Sequence, residues 1–175
     1  MSREVVRRYS LVMSACLFVI LFSGMALAQQ KVEVGGKMAC TITDEEQFSV
    51  GDAEGHAMML HQSIGDNKST GASAFMDGAN VVNDAVGDLV KGNGPQFGYI
   101  MFAKGPDTTY AKWEHETTTT LDIAGKPLTK FKGTFHFTAG SGQFKGIGGT
   151  GNFVGEFTSP TAYSVTWQGK YALKR

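Results

Sequence analysis

The stretch YSVTWQGKYAL, residues 163–173, alternates between two kinds of side chain, and this alternation decides the fold class. Its odd-numbered positions are mostly apolar or aromatic: Tyr163, Val165, Trp167, Gly169, Tyr171 and Leu173. Its even-numbered positions from Ser164 to Lys170 are polar. A period of two residues is typical of a β-strand that buries one face and exposes the other. The stretch therefore predicts a half-buried strand whose odd-numbered side chains point inward.

The same alternation recurs along the chain, interrupted by turn signals at intervals of about ten residues. We predict alternating strands at residues 113–117, 131–137 and 153–157, and further strands at 37–43, 57–64, 98–104 and 117–123. Turn-forming residues cluster between them, at 65–67, 91–95, 105–107 and 125–127. Residues 81–90 fit either a short helix or an irregular strand. Short strands joined by such turns favour an all-β protein, either an antiparallel sandwich or a barrel.

The composition excludes several classes of protein. The 175 residues include 16 Lys and Arg against 16 Asp and Glu, so the chain has no net charge. A strongly basic nucleic-acid-binding protein is therefore excluded, because phosphate contacts need a surplus of cations. The hydrophobic content of 42% excludes a disordered chain, and 23 glycines with few leucines argue against a helical bundle.

The N-terminus has the pattern of a secretory signal peptide. Arg3, Arg7 and Arg8 precede an apolar run at residues 11–22, and the small-residue motif ALA at 26–28 follows it. The run is shorter than the ~20 apolar residues that a transmembrane helix needs. We therefore predict a signal peptide over residues 1–28, a single domain over 29–175, and a secreted or periplasmic protein without membrane attachment after cleavage.

Two further features are interpreted structurally rather than chemically. Cys40 is the only cysteine after residue 28, so no disulfide forms within the chain, and its place between Met38 and Ile42 predicts a buried, inert thiol. Residues 146–151 match the pattern GxGxxG, but a strand-like segment follows where a dinucleotide site needs a helix. We therefore expect tight turns here and no cofactor.

The histidines do not predict a metal site. His56 and His61 are five residues apart and face opposite ways if they share a strand. His136 falls on the polar face of its strand, whereas His115 shares an inward face with Trp113. A zinc site on one strand needs even spacing, so no metal is expected.

A glycine-rich segment resembles a known family. Residues 135–153, FHFTAGSGQFKGIGGTGNF, place a hairpin of the form G-S-G-x-F-x-G between two strands, and residues 86–90 read VGDLV. Both segments resemble the allene oxide cyclase barrels, and more distantly the dirigent proteins. The resemblance is closest to small secreted bacterial proteins of this barrel type that have no assigned activity.

The resemblance implies a single eight-stranded antiparallel barrel that forms a homo-trimer and holds an apolar ligand in its cavity. The plant cyclases act largely by confining their substrate, with a carboxylate and a proline in the site. Residues 43–56, which occupy the corresponding early region, contain carboxylates but no proline. No catalytic residue is therefore carried over to this chain.

The candidate site is the set of side chains that alternation directs into the barrel. We predict the following ligand-binding residues along the barrel lining: Met58, Trp113, His115, Tyr163, Trp167 and Tyr171. Small eight-stranded barrels are either filled by such side chains or hold one small ligand, and the sequence is consistent with both. The polar atoms of Tyr, Trp and His would orient a ligand.

Three functions fit the sequence. The first is a secreted barrel that binds a small, largely apolar molecule without transforming it. The second is a cofactor-free cyclase or isomerase that acts by confinement and needs a carboxylate or His115 facing the cavity. The third is an interaction protein with a filled barrel. Glu114 and Glu116 share the outer face with Lys112, and no nucleophile motif is present, so the binding protein is favoured over the enzyme.

Overall fold

The computed structural model describes residues 30–174, which form eight strands and one short 3₁₀-helix at Gly142–Phe144. The strands are β1 (Val32–Ser49), β2 (His56–Ser69), β3 (Ala79–Val90), β4 (Gly94–Lys104), β5 (Asp107–Leu121), β6 (Pro127–Gly140), β7 (Ile147–Ser159) and β8 (Ala162–Leu173). Each pairs antiparallel with the next, and β8 pairs with β1 to close the barrel. The predicted all-β, eight-stranded barrel is confirmed. The signal peptide predicted at 1–28 lies outside the described residues.

Two segments differ from the sequence prediction in detail. The ambiguous residues 81–90 belong to β3, because hydrogen bonding to both β2 and β4 satisfies an extended backbone. The segments predicted separately at 113–117 and 117–123 are one strand, β5, which ends at Leu121. Asp122 forms the turn that follows, since its carboxylate accepts hydrogen bonds from the backbone N–H groups of Ala124 and Lys126 at 2.8 Å.

One end of the barrel is closed by the connection between β2 and β3, residues 70–78, which we call the plug. The Phe75 side chain is 2% exposed, and its ring lies 5.0–5.8 Å, centre to centre, from four aromatic rings. Asn67 fixes the plug, because its amide nitrogen donates to the carbonyl oxygens of Phe75 and Met76 at 3.2 and 2.9 Å. The Asn67 oxygen accepts a hydrogen bond from Trp167 Nε1 at 3.0 Å, which ties the plug to the barrel wall.

The outside of the barrel is apolar on one side and polar on the other. On β2–β5, outward side chains form two cross-strand rows, which together we call the outer apolar face: Leu60, Val86 and Phe97, then Ile64, Val82, Met101 and Tyr110. On β6, the outward positions from Lys130 to Thr138 are polar. Among residues 30–174, no helix is long and apolar enough to cross a membrane.

Candidate functional site

The barrel interior contains a partly open cavity of about 70 Å³. It extends from Phe102 and Trp167, which lie toward the plug, to Gln96 and Phe131 nearer the other end. All eight strands contribute inward-facing side chains to it; β1 does so through Met38. Two parts of the lining differ in chemistry, and we describe them as an aromatic wall and a polar wall.

The aromatic wall consists of phenylalanines that alternate along β6 and β7: Phe131, Phe135, Phe137, Phe153 and Phe157. Glycines on the neighbouring strand make room for these rings. Gly151 pairs with Phe135 and Gly155 pairs with Phe131. A Cβ atom added at Gly151 would lie 2.4 Å from the Phe135 ring, and one added at Gly155 would lie 2.3 Å from the Phe131 ring. The rings therefore lie flat across the glycines, in space that any side chain would occupy.

The glycine-rich segment at residues 146–151 serves both the turn and this wall. Gly146 has a φ of +79°, a left-handed conformation that glycine adopts without strain. The strand β7 begins at Ile147 and continues through the segment, so no helix follows it. The interpretation as turns and close packing, rather than as a dinucleotide site, is confirmed.

The polar wall consists of one side chain from each of four consecutive strands: His61 on β2, Asn83 on β3, Gln96 on β4 and His115 on β5. Asn83 is the centre of a fully bonded group. Its oxygen accepts from Trp113 Nε1 at 2.7 Å, and its amide nitrogen donates to the Tyr163 hydroxyl at 3.2 Å. The Tyr163 and Ser63 hydroxyls are themselves 2.5 Å apart. These contacts fix Trp113 and Tyr163 and leave the indole N–H of Trp113 with no capacity for a ligand.

Burial keeps the ionisable groups around Tyr163 in their neutral forms. It raises the pKa of the Tyr163 phenol, and the adjacent Cys40 thiol adds to this rise. Burial also raises the pKa of Cys40 to about 11, so the thiol is protonated at neutral pH. The predicted burial of Cys40 is confirmed, and its protonated state agrees with an unreactive thiol.

His115 is held between two rings. Its imidazole stacks on Trp113, with ring centres 4.9 Å apart and planes inclined by 23°, and on Phe131, at 4.7 Å and 22°. Its Nε2 lies 3.0 Å from Thr117 Oγ1, which also accepts a hydrogen bond from Gln96 Nε2 at 2.8 Å. Burial, together with the nearby His61, lowers the pKa of His115 from 6.5 to about 4. The ring is therefore neutral at neutral pH and fixed in orientation.

Two imidazole nitrogens in the polar wall lack a hydrogen-bond partner among the described residues. They are Nδ1 of His61 and Nδ1 of His115, and both atoms are buried. His61 is 6% exposed, and burial lowers its pKa. A buried polar atom without a partner is costly, and native proteins usually satisfy such atoms with water or a ligand.

The cavity offers no formal charge. Of the residues that the structure describes, no Asp, Glu, Lys or Arg lines it. Within the same part of the chain, no three His, Cys, Asp or Glu side chains are arranged to hold a metal ion. The chemical groups available to a bound molecule are thus aromatic faces and neutral hydrogen-bonding atoms.

Four of the six predicted lining residues line the cavity: Trp113, His115, Tyr163 and Trp167. Tyr171 lies near the plug instead, where its ring contacts Phe75 and Phe144. It belongs to the packing beneath the plug and is not part of the cavity lining.

The placement of Met58 in the barrel lining is wrong. Met58 is 39% exposed and points outward together with Leu60. The inward face of β2 carries Ala57, Met59, His61 and Ser63. Apolar residues at both 58 and 59 leave the phase of this strand undecided, and hydropathy assigns His61 and Ser63 to the solvent side.

The predicted lining set missed the polar residues His61, Asn83 and Gln96 as well as the phenylalanines of the aromatic wall. The polar ones are the harder to predict. Their inward orientation runs against the rule that polar side chains alternate outward. A signal was present for the aromatic wall, since each glycine of β7 that faces a phenylalanine of β6 marks the space for a ring. The five-residue spacing of His56 and His61 did predict opposite faces: His61 lies inside, whereas His56 bonds to two surface carboxylates.

Comparison with known proteins gives a likeness of fold. No protein-family model and no curated protein matches the chain. Among solved structures, it is similar to the pterocarpan synthase dirigent protein GePTS1, with 10% identity and a TM-score of 0.44 over 87% of this chain and 96% of that one. Identity at this level says nothing about function. The closed eight-stranded antiparallel barrel that the resemblance to the allene oxide cyclase and dirigent barrels implies is confirmed.

Proposed function

We propose that this protein binds a small, largely apolar molecule inside the barrel without transforming it. The observation that carries the proposal is a cavity with an aromatic wall on one side and two unpartnered imidazole nitrogens on the other. Apolar lining with a few directed polar atoms is the usual composition of a small-molecule site. The aromatic wall supplies affinity by burying apolar surface, and the polar wall sets the orientation of the ligand.

The size of the cavity restricts the ligand. Its volume of about 70 Å³ is roughly half of the ~150 Å³ cavity that accommodates benzene in an engineered protein. The barrel is therefore mostly filled, with space left for a short chain or the edge of a ring. Because the cavity is partly open, the remainder of a larger ligand extends toward solvent. A molecule of this size binds with an affinity limited to about 1.5 kcal/mol per non-hydrogen atom.

A cyclase or isomerase that acts by confinement is the second candidate. The observation in its favour is that His115 faces the cavity, with His61 lining the same space. The carboxylate that such an enzyme would use is not found among the described lining residues. Binding without turnover is therefore the better supported function.

We also propose secretion or periplasmic localisation and a homo-trimer. Localisation rests on the arginines and apolar run of residues 1–28. The trimer is supported by the outer apolar face, because contact between copies would remove its two rows of outward apolar side chains from water. Asp84 and Lys112 lie in the row between the two apolar rows. A second copy that packs on this face therefore contacts one negatively and one positively charged side chain.

Native mass spectrometry of the protein purified from its own compartment tests these proposals together. We expect a mature chain that begins at Gln29, a mass of three chains and a retained small molecule.

The variant Ala111→Leu fills the cavity with three added carbon atoms and should lose the retained molecule. Lys132→Leu, at an exposed outward position on β6 away from the outer apolar face, is the control and should keep it. Equal retention by wild type and Ala111→Leu would show that the cavity is not the binding site.

A further inference from the structure

We propose that the ligand is an uncharged molecule with a hydrogen-bond-accepting oxygen of the ketone or ester type, and that this oxygen accepts from Nδ1–H of His115. The inference rests on the binding function proposed above and names the chemical class of its ligand. Three observations carry it: the hydrogen bonds of Thr117, the stacking of His115, and the lack of charge in the cavity.

The hydrogen bonds of Thr117 assign the tautomer of His115. Thr117 Oγ1 accepts from Gln96 Nε2 at 2.8 Å and lies 3.0 Å from His115 Nε2. A threonine hydroxyl has one proton, and the lone pair of His115 Nε2 is the acceptor within its reach. Nε2 is therefore unprotonated, and the neutral ring carries its proton on Nδ1. This makes Nδ1–H a buried donor without an acceptor among the described residues.

The stacking prevents His115 from finding another acceptor. Trp113 and Phe131 cover the two faces of the imidazole at 4.9 and 4.7 Å between ring centres. The edge of the ring keeps its direction as long as both neighbours stay in place. Trp113 is held in turn by its hydrogen bond to Asn83 at 2.7 Å. The donor is thus preorganised, so a ligand oxygen meets it at little conformational cost.

His61 supplies a second hydrogen-bonding atom in the same cavity. It is 6% exposed, lines the cavity, and lies close enough to His115 to influence its titration. Its Nδ1 has no partner among the described residues, so its proton can occupy that position. A carbonyl oxygen has two lone pairs and can accept from both imidazoles. A hydrocarbon would leave both nitrogens unsatisfied.

The lack of charge in the cavity excludes ionic ligands. No carboxylate, ammonium or guanidinium group of the described residues lines it, and the hydroxyl of Tyr163 is already bonded to Ser63 and Asn83. An ion transferred into such a site loses its hydration and gains no counter-charge. The ligand is therefore neutral, and its polar part is an acceptor.

Three probes of one ring size test the inference by NMR titration of the full mature protein: cyclopentanone, methylenecyclopentane and cyclopentanecarboxylate. The first two differ only in C=O against C=CH₂. We expect cyclopentanone to bind about tenfold more tightly than methylenecyclopentane, because only the ketone satisfies the buried donor. The carboxylate should bind the least tightly of the three. The ketone should also shift the ¹⁵N resonance of His115 Nδ1.

The variant His115→Phe keeps an aromatic ring in the stack and removes the His115 donor, so the preference for the ketone over the alkene should fall well below tenfold. His136→Phe, at an exposed outward position on β6, is the matched control and should keep the preference for the ketone. The ¹⁵N spectrum of wild-type protein reads the tautomer directly and needs no variant. We expect a protonated Nδ1 and an unprotonated Nε2.

Several outcomes would overturn the inference, and they differ in whether they also refute the proposed binding function. A protonated Nε2, or equal binding of the ketone and the alkene to wild type, would refute the ligand class but leave the binding function. Tightest binding of the carboxylate would refute the uncharged ligand alone. Failure of all three probes to bind would refute the proposed function as well.

Discussion

The side chains of the aromatic wall and those of the polar wall are held in place by different kinds of interaction. The aromatic wall is held by close packing of rings on glycines: the Phe131 ring lies across Gly155, and the Phe135 ring lies across Gly151. The polar wall is a set of directed hydrogen bonds centred on Asn83 and Thr117. The first wall fixes shape and the second fixes the position of donors. Shape and polarity are thus encoded mainly on separate strands, and the two walls are coupled where Phe131 stacks on His115.

The largest expected effect comes from removing a ring of the aromatic wall. Phe131→Ala deletes a buried ring that stacks on His115, and large-to-small changes of this kind cost about 3–5 kcal/mol of unfolding free energy. Chemical denaturation measures the loss. Lys132→Ala, at the adjacent outward position, is the control and should change stability by less than about 0.5 kcal/mol. Similar losses in the two variants would mean that the aromatic wall does not stabilise the barrel.

A smaller loss of unfolding free energy is expected when the pH is lowered and the histidines of the polar wall become protonated. The pKa of His115 falls from 6.5 to about 4 on folding, so the unfolded chain binds a proton between these pH values that the folded chain does not. The contribution of His115 to the free energy of unfolding should therefore be constant above pH 6.5 and decrease toward pH 4, by up to about 3 kcal/mol. His61, whose pKa is also lowered, acts in the same direction.

Denaturation at a series of pH values measures this dependence. His115→Phe should reduce the acidic slope, whereas Thr134→Phe, which changes an exposed and non-titrating position on β6, should leave it unchanged. An acidic slope as steep in His115→Phe as in wild type would show that His115 does not contribute to it.

The smallest expected effect concerns His56, which lies on the outside of the barrel at the start of β2. Its Nδ1 bonds to Asp52 and its Nε2 to Asp88, the latter at 2.6 Å. The hydrogen bonds to Asp88 and then Asp52 raise the pKa of His56. Its contribution to stability is therefore complete below the unfolded pKa near 6.5 and is lost as the pH rises through the folded value.

An NMR titration separates the two histidines. We expect His56 to titrate above 6.5 and His115 below it, and Asp88→Asn to lower the pKa of His56 while leaving His115 unaffected. Titration of both histidines at the same pH would contradict the contrast between His115 inside the barrel and His56 on its outer surface.

The two walls also differ in how far the sequence predicts them. Phe131, Phe135 and Phe137 alternate with Lys and Thr, so their inward direction follows from hydropathy alone. His61 and Asn83 could not be placed inside by this rule, because both are polar; Asn83 is buried with partners, Trp113 and Tyr163, that lie far away in the chain. Met58 was misplaced for the same reason, since the polar inward residues of β2 decide its phase.

The plug shows a second limit of sequence reasoning. Residues 70–78 have no hydrophobic period, and their Gly and Ser content is typical of a surface loop. Phe75 is nevertheless buried, because the barrel end offers it four aromatic rings and Asn67 binds the backbone beside it. These contacts exist only once the strands have assembled.

The closure of the barrel has a consequence for the timing of folding. Val32 at the start of β1 pairs with Tyr171 near the end of β8, so the seam joins the two extremes of the described chain. Contacts between such distant residues form slowly, because the intervening loop loses entropy before the contact is gained. During synthesis the seam cannot close until β8 has left the ribosome. Until then β1 and β7 are open edges, and the nascent chain depends on rapid completion or on chaperones to avoid pairing with other strands.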